Sequence, residues 1–231
     1  MAKPLIYISY GMPKSGSTLA YRLISAILSA AGDEQLPLPG FASNAGVNYA
    51  KVINPATLAQ LTNGVTTTNA GLTAVKTHCG LWNCVTKGLN QGWLAAHAIC
   101  RDPRDIALSM LDAGRNDRAW GKRNGIPLTN FDDALAAVRG HADKFEGWAA
   151  HPAVLTLDYE TLAFNTERAA KLVAEQLRID IDAKACAKAA QSAPTQRNKV
   201  ASDRWRTELT PEQNIRAVKA FGDFIHDHIS T

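Results

Sequence analysis

Apolar and polar positions alternate between two patterns along the chain. Leu5 to Tyr10 is a continuous, mostly apolar run that ends in a Gly/Pro turn, as a buried parallel strand should. From Ser17 to Ala31 the pattern changes to helical spacing, with Leu19, Leu23, Ile27 and Ala30 on one side and Gly32 as the stop. Further strands are predicted at Leu72 to Lys76, Leu94 to Cys100 and Val154 to Leu157. Between and after them helices are predicted at Pro103 to Asp112, Phe131 to Trp148, Glu167 to Leu177, Cys186 to Ser192 and Pro211 to Ile229. Pro103 stands in a first turn, and Thr210 with Gln213 reads as a capping box. Residues 33 to 70 are rich in Pro, Gly, Asn and Thr and read as loop with short helical pieces such as Pro55 to Leu61. Strands that alternate with helices imply an α/β fold: a P-loop-like three-layer sandwich with a mainly parallel central sheet flanked by helices.

Composition fits that picture. The chain has 231 residues, 46% hydrophobic and 20% charged. A chain of this size buries roughly 70% of its unfolded surface, enough for one domain over residues 1–231 without staples. Net charge is +4, and no block of five like charges occurs. A nucleic-acid partner is therefore not expected, whereas a small anionic ligand suits a mild excess. No run of 18 apolar residues marks a membrane span. The N-terminal run leads straight into a glycine-containing loop and reads as a strand, not a signal peptide. Cys79, Cys84, Cys100 and Cys186 form neither a disulfide framework nor a zinc spacing, so reduced thiols in a cytoplasmic protein are expected, with no metal.

The sharpest chemical feature is Gly11-Met12-Pro13-Lys14-Ser15-Gly16-Ser17-Thr18, between the first strand and the first helix. Backbone N–H groups and a helix N-terminus hold an anion at such a turn. The glycine spacing matches a Walker A loop, but Ser17 stands where that motif has lysine, and Lys14 lies inside the loop instead. A plain strand-to-helix turn would use the same glycines and serines for geometry alone. A second feature follows the third strand: Arg101 at its end and Ser109 two turns into the next helix can converge on one phosphate. A third is Lys76-Thr77-His78 at the end of the second strand, on the edge where a parallel sheet opens its ligand crevice. Histidine is the best general base near pH 7, although a lone histidine is more often structural.

Together these segments resemble the sulfotransferases that use 3′-phosphoadenosine 5′-phosphosulfate (PAPS) and release adenosine 3′,5′-bisphosphate (PAP). Pro13 to Thr18 is similar to that family's 5′-phosphosulfate loop, and Arg101 with Ser109 is similar to its 3′-phosphate motif. Lys76 to His78 looks like the base segment of its cytosolic members, and Tyr159-Glu160-Thr161-Leu162 like its Y-E-x-L segment. The resemblance implies sulfuryl transfer to a hydroxyl or amine acceptor, metal-free and in line, with His78 as general base and Lys14 and Lys76 as charge stabilisers. It implies nucleotide contacts from Lys14, Ser15, Gly16, Ser17, Thr18, Arg101, Ser109 and Tyr159. Arg197 and Lys199 are candidate 3′-phosphate ligands in a late loop that lacks the family's two glycines. Leu19 occupies the place where cytosolic members often carry a tryptophan against adenine. The acceptor is expected to be a small-molecule, carbohydrate or lipid hydroxyl, bound near residues 38–70 and 115–130, with Trp82 and Trp93 flanking the cleft. A P-loop nucleotide kinase or NTPase and a non-catalytic PAP-binding module are the competing readings.

Overall fold

The fold is described from a computed structural model over residues 4–42, 46–69, 71–116, 130–192 and 200–229. Arg197, Lys199 and nearly all of the expected 115–130 loop lie outside these residues. Five strands form one all-parallel sheet: β1 (Ile6–Gly11), β2 (Tyr49–Ala50), β3 (Thr73–Thr77), β4 (Leu94–Cys100) and β5 (Val154–Asp158), in the spatial order β2-β3-β1-β4-β5. The helices are α1 (Ser17–Ala30), α2 (Pro55–Thr68), α3 (Asn83–Gln91), α4 (Pro103–Asn116) and α5 (Phe131–Ala149). They continue as α6 (Tyr159–Phe164), α7 (Thr166–Leu177), α8 (Ala183–Ser192), α9 (Trp205–Glu208) and α10 (Pro211–His228).

Strand alternation splits the core in two. Ile6, Ile8 and Tyr10 of β1 face a cluster that includes Leu61 of α2, Val85 of α3, Ile106 of α4, Trp148 of α5 and Phe224 of α10. Tyr7 of β1 faces the other cluster, with Ile24 and Ile27 of α1, Val173 of α7 and Cys186 of α8. That arrangement is the expected three-layer sandwich. The stripe of α1 is displaced from the predicted one: Ala20, Leu23, Ile24, Ile27 and Leu28 are buried, while Leu19 is only partly buried and Ala30 is exposed. Neighbouring layers on this face, α7 and α8, decide which side of an evenly apolar helix turns inward.

β2, most of α2, α3, α6 and α9 are elements beyond those expected. Residues 33–70 hold β2 and the 14-residue α2 rather than loop with one short helix. Asn54 caps α2 by accepting from Thr57 N at 2.9 Å, and Pro55 follows at its first position. α3 is a nine-residue helix that buries only Val85, Gly88 and Leu89, too few apolar positions to stand out in the sequence. The predicted capping box of α10 is present, with Gln213 N donating to Thr210 Oγ1 and Thr210 N donating to Gln213 Oε1.

Because chain order runs β1 to β2 and β3 on one side, then across to β4 and β5 on the other, β1 lies at the switch point of the sheet. Ligand crevices open at the carboxyl ends of strands flanking such a point. Gly11, His78 and Arg101 leave β1, β3 and β4 at this edge.

Candidate active site

The phosphate loop is held in shape by its own residues. Lys14 and Gly16 both have positive φ, 67° and 84°. Ser15 is fully buried, and its N–H and hydroxyl both donate to the Met12 carbonyl, at 3.2 and 2.7 Å. Ser15 thus shapes the turn from inside. Gly11 has no room for a side chain: a Cβ there would lie 2.7 Å from Ser17 Cβ. Gly16 caps α1 with no side-chain acceptor, and the first turn of α1 carries no acid. The resulting cradle presents the positive end of a helix without a built-in counter-charge, which fits an anionic group.

Two side chains from the end of β3 reach this cradle. Lys76 Nζ donates to Thr18 Oγ1 at 2.8 Å. Burial, and next the Arg22 guanidinium, lower the Lys76 pKa to about 8. His78, just beyond β3, sits 2.5 Å from the Gly11 carbonyl through Nδ1. A carbonyl only accepts, so Nδ1 carries the proton and Nε2 keeps its lone pair. Burial, then the Lys76 charge, lower the His78 pKa to about 3. The imidazole is therefore neutral at pH 7, in the tautomer a general base needs.

Arg101, at the end of β4, is 3% exposed. Its Nη1 donates to the Lys14 carbonyl at 2.9 Å and its Nη2 to the Ala201 carbonyl at 2.7 Å. Its guanidinium lies 3.9 Å from the Tyr159 ring centroid, with Asp105 Oδ2 at 3.6 Å. Tyr159 also backs the loop, because a Cβ on Gly16 would lie 3.2 Å from its ring. The structure therefore joins Arg101, Tyr159, Lys14 and Gly16 in one contact set. Ser109 is buried on α4. Lys14 is held below the ordinary lysine value by burial and then by the Arg101 charge, against the pull of Asp112.

Other sequence expectations are revised. Trp93 precedes β4, at the amino edge of the sheet, where its Nε1 donates to Gln91 Oε1 and its ring lines a groove between α2 and α3. It is on the wrong edge to flank the cleft; Trp82, which caps α3 after the His78 loop, is 42% exposed. His228, at the end of α10, packs its ring 4.9 Å from Phe224 and 5.2 Å from Phe145. Sequence reading missed His141 and Lys144 on α5, Tyr49 beside His78 (ring centroids 5.8 Å apart), and Arg204. Arg204 is 4% exposed and ion-paired to Asp112 at 2.7 Å and Glu208 at 2.8 Å. A polar residue on the buried face of an amphipathic helix was the available signal for His141.

Solved structures share the fold at low identity. Mouse sulfotransferase SULT7A1 complexed with PAP superposes with a TM-score of 0.61 at 17% identity, covering 98% of this chain and 86% of that one. Retinol dehydratase in complex with androsterone and inactive cofactor PAP gives 0.61 at 16%, with coverages of 100% and 83%. A putative steroid sulphotransferase of Arabidopsis thaliana gives 0.56 at 16%, with coverages of 100% and 80%. No curated protein sequence matches the chain. The model of the sulfotransferase domain family matches residues 7–227, which span the phosphate loop, both strand-end motifs and the last helix, and the chain belongs to that family.

Proposed function

We propose that this sulfotransferase moves a sulfuryl group from PAPS to the hydroxyl of a small-molecule acceptor, with His78 as general base. The observation that carries the reading is the pair of bonds from the β3 end to the phosphate loop, His78 to the Gly11 carbonyl and Lys76 to Thr18. These put a neutral imidazole with a free Nε2 and a lysine beside one anion cradle. PAPS, when bound, supplies the sulfuryl group and departs as PAP. His78 Nε2 accepts the proton of the acceptor hydroxyl as its oxygen becomes the nucleophile. Lys76, Lys14, the loop amides and the N-terminus of α1 meet the negative charge on the phosphate side. A sulfuryl group carries less charge than a phosphoryl group, so this reading is metal-free. Ser17 and Thr18 are assigned to the 5′-phosphate. Arg101 and Ser109 are assigned to the 3′-phosphate, supported by the position of Arg101 between the loop and Tyr159. All four cysteines are thiols, which supports a reducing, cytoplasmic setting.

The test separates binding from chemistry. Saturating PAP, at 100 times its dissociation constant, should raise the unfolding midpoint by about 2–4 °C. ATP with Mg²⁺ serves as the comparator. His78→Ala should keep that shift and lose turnover by roughly 10²–10⁴-fold. A shift from ATP with Mg²⁺ but none from PAP would replace the reading with a kinase-like one. A His78→Ala protein that still turned over normally would remove His78 from the base role.

A further inference from the structure

The side of the site away from the phosphate loop is built by α5, and its chemistry is cationic. The buried edge of α5 lies against the chain that follows β3. Trp148 Nε1 donates to the Cys79 carbonyl at 2.9 Å, and Tyr10, at the end of β1, donates its hydroxyl to the His141 carbonyl at 3.2 Å. Lys144 comes over the same segment, since a Cβ built on Gly80 would lie 3.4 Å from Lys144 Cγ. The half-buried His141 and the exposed Lys144, one turn apart on α5, thus border the loop that carries His78. His141 Nδ1 is buried with no hydrogen-bond partner among the described residues. A buried polar atom of that kind is unusual and calls for a partner. Lys144 is exposed, as are Asp143 and Glu146 near it on α5.

The charges that act most strongly on His78 are correspondingly one-sided: Lys76, His141 and Lys144, each lowering its affinity for a proton. Lys76 is committed to Thr18 and the phosphate loop. Lys144 and His141 approach from α5. Beside His78 stands the Tyr49 ring, 36% exposed.

We propose that His141 and Lys144 form an anion-recognising wall of the acceptor pocket, so that the acceptor is a hydroxyl compound bearing its own anionic group, such as a carboxylate. The proposal rests on the transfer reading at His78 and names its substrate class. Lys144 supplies the charge, and the unpartnered His141 Nδ1 supplies a directed hydrogen bond. An anion held there also offsets the cations around His78 and raises its basicity toward the working range, so the wall serves catalysis as well as selection.

Three phenols of one skeleton test it: 4-hydroxyphenylacetate, its neutral amide, and the cationic tyramine, each with PAPS as donor. The anionic phenol should have the highest kcat/KM, about tenfold above the amide, the scale of one charged hydrogen bond, with tyramine last. Lys144→Glu should reverse the order of the anionic and cationic phenols while PAP affinity stays within twofold. His141→Gln should raise KM for the anionic phenol more than for the amide. The inference is overturned if the amide or tyramine is the better substrate of the wild-type enzyme. It is also overturned if Lys144→Glu leaves the order unchanged, or if only a wider panel of neutral alcohols is sulfated. Absence of PAP binding, or of transfer to any acceptor, would instead defeat the proposed function itself.

Discussion

The two strand ends that flank β1 treat their cations in opposite ways. At the end of β4 each buried arginine has an acid. Arg101 lies beside Asp105, Arg104 is gripped by Asp102 at 2.6 Å, and Arg204 is paired with Asp112 and Glu208. Trp205 lies under the Arg104 guanidinium at 3.5 Å, and its backbone N–H donates to Asp105 Oδ1. This end is a cross-braced support that ties the phosphate loop, α4 and the chain around residues 201–208 together. At the end of β3 the cations face one another. Lys76 and His78 have neutral hydrogen-bond partners, and burial, joined by the Arg22 charge at Lys76 and by the Lys76 charge at His78, pushes both toward their uncharged forms. Compensated charge braces the β4 end, where Arg101, alone among these arginines, also carries the proposed 3′-phosphate contact, whereas uncompensated charge at the β3 end suits an anion and keeps a base unprotonated.

The largest test of that contrast is Asp102→Ala. It leaves Arg104, 5% exposed, as a buried cation with Asn214 and the Trp205 ring beside it among the described residues. The expected loss is about 3–5 kcal/mol of unfolding free energy in urea titrations. A loss under about 1 kcal/mol would mean that the β4 end is not held by its ion pairs.

Next in size is the acid response of the β3 end. The folded pKa of His78 is about 3, below the unfolded value of 6.5. The unfolded chain therefore takes the proton first, and stability falls as pH drops below 6.5, by about 1.4 kcal/mol per pH unit for this group, until the folded state titrates as well. His78→Asn should flatten the stability–pH curve between pH 6 and 4. An unchanged slope would show that the imidazole is not buried in its neutral form.

The smallest effect concerns Lys76. With a pKa of about 8 in the ligand-free protein, it must gain a proton to pair with an anion. PAP affinity should therefore fall as pH rises above 8, by at most tenfold per pH unit, with proton uptake visible by calorimetry in buffers of different ionisation enthalpy. Lys76→Met should remove the uptake. PAP binding without pH dependence between 8 and 9.5 would show that Lys76 does not meet the nucleotide's charge.

Much of the fold was legible because its strongest signals are local. Four of the five strands are apolar runs, and helices such as α5 and α10 carry clear caps or stripes. The phosphate loop was legible for the same reason, since its glycines, serines and lysine are contiguous. β2 escaped because two residues make no periodicity; it exists because Tyr49 and Ala50 pair with Lys76 and Thr77. α2 was read as mostly loop because it is rich in threonine and asparagine, residues that favour turns, and packing of Leu58, Leu61 and Val65 on the sheet overrides them.

The sequence by itself determined the alternation of strands and helices, the anion cradle after β1, and the types of residue that would work there. These depend on neighbours within one turn of a helix or one strand. Only the tertiary structure decided which of those groups meet. Arg101 and Ala201 are one hundred residues apart, and so are Asp105 and Trp205; Trp148 and Cys79, which bring α5 to the His78 loop, are 69 apart. Their pairing follows from the order of strands in the sheet and the layers packed on it, and so does the division between a compensated and an uncompensated end, because charge balance is set by proximity in space and by burial.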